Sequence, residues 1–165
     1  MKLGKGNIYV TLILLLVIGI FTYYQQTFSS KDIITLAKCT DGDTAHFYIN
    51  GEDTTVRFLG IDTPETVKAN TPEQPFGKEA SNYTCNFLTN AKEIQIEYEE
   101  SDKIDKYGRS LGWVFVDGIL LQTQLVKEGL AEVKYLKDSY KYANELKAAE
   151  KEAQLNRRNI WADEN

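Results

Sequence analysis

The sequence predicts an α+β fold: a five-stranded Greek-key β-barrel with three α-helices, preceded by an N-terminal hydrophobic helix. Three observations carry this. Asn50-Gly51, the dipeptide favoured in two-residue hairpin turns, joins two alternating segments. Five short segments have strand character, and a segment of helical period separates the third from the fourth. The chain has 165 residues, 42% of them hydrophobic, which suits one domain with its own core and leaves little room for two.

The apolar run Ile8 to Phe21 follows Lys2 and Lys5, the arrangement of a targeting segment. Its 14 residues suit the apolar region of a signal peptide. Counted on to Tyr24 it reaches 17, the lower edge of a membrane span, with Tyr23 and Tyr24 where an aromatic belt would lie. No A-x-A cleavage site follows, so a removed leader and a retained anchor both stay open. Either places the remainder outside the cytoplasm, secreted or membrane-anchored. The expected organisation is a targeting segment at 1–24, a polar linker at 25–32 and a folded domain at 33–165.

In the domain, Thr44, His46 and Tyr48 alternate with Ala45, Phe47 and Ile49, and the partner strand across Asn50-Gly51 is expected from Thr54 to Ile61. The stretch from Thr66 to Gly77 holds Pro72 and Pro75, has neither period and predicts an irregular surface loop. Ala80, Tyr83, Phe87 and Leu88 mark a helix, and Ile94, Ile96 and Tyr98 an alternating strand. Another strand turns back at Asp117-Gly118, and a short helix stops at Gly129. Tyr142, Leu146, Ala149 and Ala153 form one apolar stripe on a charged helix, onto which Ile160 and Trp161 are expected to close. A helix inserted after the third of five short strands suggests a barrel of the OB type, whose face and loops often bind nucleic acid or sugar.

From Asp32 onward there are 16 basic residues against 24 acidic ones, a net of −8. That argues against passive electrostatic capture of a polyanion, so any nucleic-acid role must rest on a local site, with a bound cation the expected aid. Cys39 and Cys85 lie in the exported part, where a disulfide is permitted; two buried free thiols are the alternative.

Acids and arginines concentrate in "TDGDT" with Asp41 and Asp43, "VRFLGIDTPE" with Arg57, Asp62 and Glu65, and "DKYGRS" with Asp105, Lys106, Tyr107 and Arg109. Taken singly, each is an ordinary turn, cap or hairpin loop. Arg57 is the exception, because an arginine inside an apolar strand wants a carboxylate or phosphate to grip. Asp43 and Asp62, at strand ends that antiparallel pairing would bring together, offer hard oxygen ligands to a divalent cation. His46 has the marks of an ordinary polar strand residue.

Together, "DGDT", "VRFLGIDTPE", "DKYGR", "LVKEGLAEVKY" and the closing "NIW" closely resemble the staphylococcal nuclease family, over about Ile33 to Trp161. From Asp43 through Tyr135 the spacing needs no insertion or deletion. The resemblance implies an OB barrel with three helices that hydrolyses DNA and RNA phosphodiesters. It implies Ca²⁺ held by Asp43, Asp62 and the carbonyl of Thr63, Glu65 activating or positioning water, and Arg57 and Arg109 holding the scissile phosphate. It also implies substrate contacts from Lys106, Tyr107 and Tyr135, and a protein that acts as a monomer. Leu136 and Lys137 stand where the family has a second tyrosine two positions after Tyr135, and the loop from Thr66 to Gly77 has only Lys68 where the family has several lysines. Weaker, salt-sensitive substrate binding is therefore expected, with Lys137 a candidate phosphate contact. A catalytically silent OB module that only binds nucleic acid, tethered to the membrane, and a membrane-tethered partner-binding domain are the competing functions. The combination of Asp43, Arg57, Asp62, Glu65 and Arg109 argues for the enzyme, because binding alone needs no water-directed acid beside a cation pocket.

Overall fold

The computed structural model describes residues 5–27, 31–66 and 74–162. It divides into two compact units, Met1–Ser30 and Lys31–Asn165. In the first, α1 (Lys5–Thr27) carries an unburied apolar surface from Tyr9 to Ile20 and extends through Gln25 to Thr27, where a linker was expected. Among the described residues, no helix is long and apolar enough to cross a membrane.

The second unit is built on β1 (Asp32–Asp41), β2 (Thr44–Ile49), β3 (Glu52–Phe58), β4 (Ile61–Asp62), α2 (Gly77–Thr89), β5 (Ile94–Glu97), β6 (Ser110–Val116), β7 (Ile119–Leu120), α3 (Leu121–Lys127), β8 (Glu132–Val133) and α4 (Ala143–Leu155). Asn50 and Gly51 have φ of 53° and 85°, and Asp117 and Gly118 of 50° and 83°. Both hairpin turns therefore place two residues in the left-handed region, as their sequences predict.

The sheet runs β3-β2-β1-β5-β6-β7, and an added β3–β6 pairing closes five of these strands into a barrel. β1 serves two neighbours in succession. Asp32 to Ile34 pair with β5, and Thr35 to Asp41 pair with β2 with irregularities between Leu36 and Lys38 and between Cys39 and Asp41. Such bulges bend a strand enough to turn a barrel corner. The sequence pattern suggests strands that are antiparallel throughout, but the closing pair is parallel, with Arg57 opposite Leu111. A parallel pair needs a long crossover, and the segment carrying α2 and β5 supplies one.

The barrel core contains Phe47, Val56, Phe58, Ile96, Trp113 and Val114, all essentially inaccessible. Tyr140 and Tyr142 meet the Trp113 ring edge-on, with centroids 6.1 and 5.3 Å away. Gln122, buried on α3, takes over part of the β6 ladder: its Nε2 donates to the Gly112 carbonyl at 2.9 Å and its Oε1 accepts from Val114 N–H at 3.2 Å. Leu146, Ala149 and Ala153 are the buried face of α4.

Two details differ from the sequence expectation. The third strand ends at Phe58 rather than Ile61, because Gly60 turns the chain at φ 75° and Ile61–Asp62 join β8 in a separate two-stranded sheet. β5 ends at Glu97 rather than reaching Tyr98, and the buried Glu97 carboxylate is held by Lys141 Nζ at 2.6 Å and Tyr142 OH at 2.7 Å. The 3₁₀ turn Asn159–Trp161 packs on the end of α3, where Ile160 N–H donates to the Gly129 carbonyl at 3.1 Å and Asn159 Nδ2 to that of Glu128 at 2.7 Å. The left-handed backbone at Arg157 and Asn159 steers the chain there.

Candidate active site

One cleft of about 950 Å³ is lined by Asp43, Arg57, Asp62, Glu65, Lys106, Tyr107, Arg109 and Tyr135, together with Asp41, Asp105 and Tyr140. Of the residues expected at the site, Lys137 and Thr63 are absent from its lining, the latter expected to act through its backbone carbonyl. Thr63 lies behind, with its backbone N–H 3.1 Å from Asp43 Oδ2.

The centre is a carboxylate–guanidinium cluster. Arg57 Nη2 lies 3.0 Å from Asp43 Oδ2 and 2.8 Å from Asp62 Oδ1, and Nη1 donates to the Phe58 carbonyl at 2.7 Å. The residues arrive there by strand register: Thr44 faces Arg57 across β2–β3, and Phe58 N–H donates to the Asp43 carbonyl at 2.8 Å. Asp62 comes from the far side of the Gly60 turn. Burial raises the Asp43 carboxyl above its ordinary pKa, against the opposing pull of Arg57, the Thr63 N–H and the Thr44 hydroxyl. That hydroxyl donates to Asp43 Oδ1 at 2.9 Å.

The turn before Asp43 is tied down from three sides. Asp41 Oδ1 accepts from Gly42 N–H and from the Thr66 hydroxyl, each at 2.8 Å. The Thr84 hydroxyl of α2 donates to the Gly42 carbonyl at 2.6 Å. Beside it, a disulfide joins Cys39 to Cys85 with Cα atoms 5.6 Å apart, resolving the two alternatives for these cysteines. Gly42 is packed so closely on Thr63 that a Cβ would fall 2.7 Å from its Oγ1.

Glu65 is placed by its backbone. Its N–H donates to Gln74 Oε1 at 2.9 Å and its carbonyl accepts from Gln74 N–H at 3.0 Å. These bonds clamp the ends of the predicted loop; residues 67–73, with Lys68, lie outside the described residues.

Arg109 is oriented from its own loop. Asp105 Oδ2 accepts from Arg109 Nε at 2.7 Å, while Oδ1 accepts the backbone N–H groups of Tyr107 and Arg109, both at 2.9 Å. Burial raises the Asp105 pKa, but these donors outweigh it and hold the carboxyl below its ordinary range. Tyr107 and Tyr135 stand 73% and 74% exposed at the cleft edge, available for stacking. Lys106 Nζ lies 5.0 Å from the Tyr107 ring.

Lys137 is committed elsewhere, to Asp102 at 2.6 Å. Tyr140, which donates to the same Asp102 at 2.9 Å, is buried against Trp113 and offers no second exposed ring. His46 pairs with Asp53 on β3, away from the cleft lining, as its strand position suggests. Sequence reasoning assigned no role to Lys134, whose Nζ is 2.9 Å from Asp62 Oδ2. It also missed how Asp105 orients Arg109, although the i, i+4 spacing within "DKYGR" carried that signal.

Hard oxygens that converge on one point suit a hard, labile dication such as calcium. Among the described residues no three His, Cys, Asp or Glu side chains are grouped to hold a metal. Such an ion would take the Asp43 and Asp62 carboxylates and complete its shell with further oxygens, from water, the backbone or other groups lining the cleft.

Residues 55–163 match the family model described as staphylococcal nuclease homologue. The chain is 45% identical to a thermonuclease of Staphylococcus hyicus over 88% of its own length and 81% of the relative's. It is 47% identical to a thermonuclease of Staphylococcus intermedius over 73% and 71% of the two chains. Against the endonuclease YncB of Bacillus subtilis (strain 168) identity is 42%, over 78% of this chain and 61% of that one. A barrel that gathers acids and arginines into one cleft and sequence identity of this extent lead to one conclusion: the chain belongs to the staphylococcal nuclease family and is a nuclease.

Proposed function

We propose that the protein is a calcium-dependent nuclease that hydrolyses DNA and RNA phosphodiesters outside the cytoplasm, acting as a monomer. The observation that carries this is the convergence of Asp43 and Asp62 on Arg57, with Glu65 and Arg109 in the same cleft.

Attack of water on a phosphodiester places added negative charge on the non-bridging oxygens and needs the water aligned opposite the leaving oxygen. Arg57 spends three of its five N–H donors on Asp43, Asp62 and the Phe58 carbonyl, which leaves donors for a phosphate oxygen. Arg109, held at Nε by Asp105, presents its terminal nitrogens as a second grip. Two guanidiniums fixed before reaction stabilise the developing charge at little reorganisation cost. The Glu65 carboxylate orients the attacking water and accepts its proton. Calcium on Asp43, Asp62 and the Thr63 carbonyl would supply further charge neutralisation at the phosphate. Lys106 contacts the strand's phosphates, and Tyr107 and Tyr135 stack on its bases. Stacking is indifferent to sequence and to the sugar, which supports action on both nucleic acids.

Export is supported by Lys2 and Lys5 ahead of the apolar run and by the Cys39–Cys85 disulfide, a bond that persists in oxidising compartments. The N-terminal segment is either removed or kept as an anchor, and N-terminal sequencing of the exported protein distinguishes the two.

The test is cleavage of single-stranded DNA, duplex DNA and RNA by the full-length protein, with calcium or with chelator. Calcium-dependent cutting of all three is expected. Binding without cutting would make the protein a silent OB module instead.

A further inference from the structure

Both oxygens of Asp62 are occupied by cations of the protein itself. Oδ1 takes Arg57 Nη2 at 2.8 Å and Oδ2 takes Lys134 Nζ at 2.9 Å. The two are not equivalent. Arg57 is buried and also holds Asp43 and the Phe58 carbonyl, so its place is fixed by the barrel. Lys134 is anchored only through its backbone, where Glu132 pairs with Asp62 and Lys134 N–H donates to the Gly60 carbonyl at 3.0 Å. Its side chain is 46% exposed and reaches Asp62 from solvent. A flexible four-carbon stem in that position releases its carboxylate at small cost.

We propose that Lys134 is a built-in competitor for the cation site, an ammonium that occupies Asp62 Oδ2 and so sets how tightly the site holds a divalent metal. This rests on the assignment of Asp43 and Asp62 as calcium ligands. A dication arriving at Asp62 meets a carboxylate already paired with two cations, of which the Lys134 ammonium is the exposed one. It must displace the ammonium or share the carboxylate with it, and either lowers affinity. The Tyr135 ring, 5.9 Å from the ammonium, and the nearby Glu132 charge offer it an alternative resting place. The consequence is a site that needs several-fold more calcium to fill than it would without the Lys134 ammonium.

The test is equilibrium calcium binding by titration calorimetry, without nucleic acid, on the full-length chain. Wild type is compared with Lys134→Met, Lys134→Gln and Lys134→Arg, and Asp43→Asn identifies which binding belongs to this site. Both neutral variants are expected to bind calcium about three- to tenfold tighter, a range that allows for solvent screening of an exposed charge. The gain should shrink at high salt, and Lys134→Arg should stay within about twofold of wild type because it keeps the charge. Asp43-dependent binding in wild type that is unchanged or weaker in both neutral variants overturns the role of Lys134 and leaves the calcium site standing. Absence of any Asp43-dependent binding in wild type overturns both.

Discussion

Asp105 holds Arg109 through both of its oxygens, one on the side-chain Nε at 2.7 Å and the other on the backbone N–H at 2.9 Å. The carboxylate therefore fixes both where the arginine starts and where its fork points. Replacement of Asp105 by alanine should lower kcat about 10- to 100-fold while the fold persists, because a displaced positioning group costs that much without removing the chemistry. Steady-state kinetics beside circular dichroism checks it; full activity in the variant would show that Arg109 needs no such orientation.

Glu65→Gln keeps the shape and hydrogen-bonding reach of the side chain and removes its charge and basicity. Loss of about 10²- to 10³-fold in kcat, with little change in KM, is expected of a group that acts on the attacking water, and Arg57→Lys should lose a similar amount by forfeiting the forked geometry. Single-turnover cleavage in saturating calcium measures both. Retained rates in Glu65→Gln would assign water activation to another group.

The disulfide closes a loop between residues 46 apart and lies next to the Thr84–Gly42 bond that fixes the Asp43 turn. Cys39→Ser paired with Cys85→Ser should cost about 3–4 kcal/mol of stability, by the loop-closure entropy restored to the unfolded chain. Urea titration of the variant against wild type gives the number, and an unchanged midpoint would contradict it.

Gly129 has φ 65°, and a Cβ there would fall 2.3 Å from the Arg158 carbonyl oxygen. Gly129→Ala is expected to destabilise by about 2–4 kcal/mol, combining left-handed strain with displacement of the C-terminal turn. The melting temperature should fall accordingly; a stable variant would mean that this turn moves aside freely.

Asp102 accepts from Lys137, Ser101 and Tyr140, and these bonds pull its carboxyl down to about 2 from an ordinary 3.8. A carboxyl depressed on folding contributes stability that is present above its unfolded pKa and lost as pH falls through the folded one. Wild type should therefore melt higher than Asp102→Asn at neutral pH, with the difference fading between about pH 4 and pH 2. A difference that persists unchanged to pH 2 would rule out this linkage.

Most of the fold was legible because its signals are local. Asn50-Gly51 and Asp117-Gly118 each specify a turn within two residues, and the stripe of Leu146, Ala149 and Ala153 specifies a helix face. The barrel itself was expected, but the parallel direction of its closing pair was not, since no pattern within a strand states in which direction a distant strand lies beside it. The end of the third strand was missed for a similar reason: Gly60 looks tolerable in an apolar run until its positive φ is seen. In the cleft, residues brought by motifs could be placed in one group, but the contacts of Lys134 with Asp62 and of Lys137 with Asp102 join separate elements and leave no trace in spacing.

The parallel β3–β6 pairing sets Arg57 directly opposite Leu111, two residues beyond Arg109. The two guanidiniums thus sit on the two sides of the seam at which the barrel is sewn shut. A chain with the seam open would retain its hairpins and helices while its two guanidiniums drifted apart. Hydrolytic activity in this protein is accordingly an all-or-none gauge of the closed native state, and no half-folded or truncated form of the barrel should retain a fraction of it.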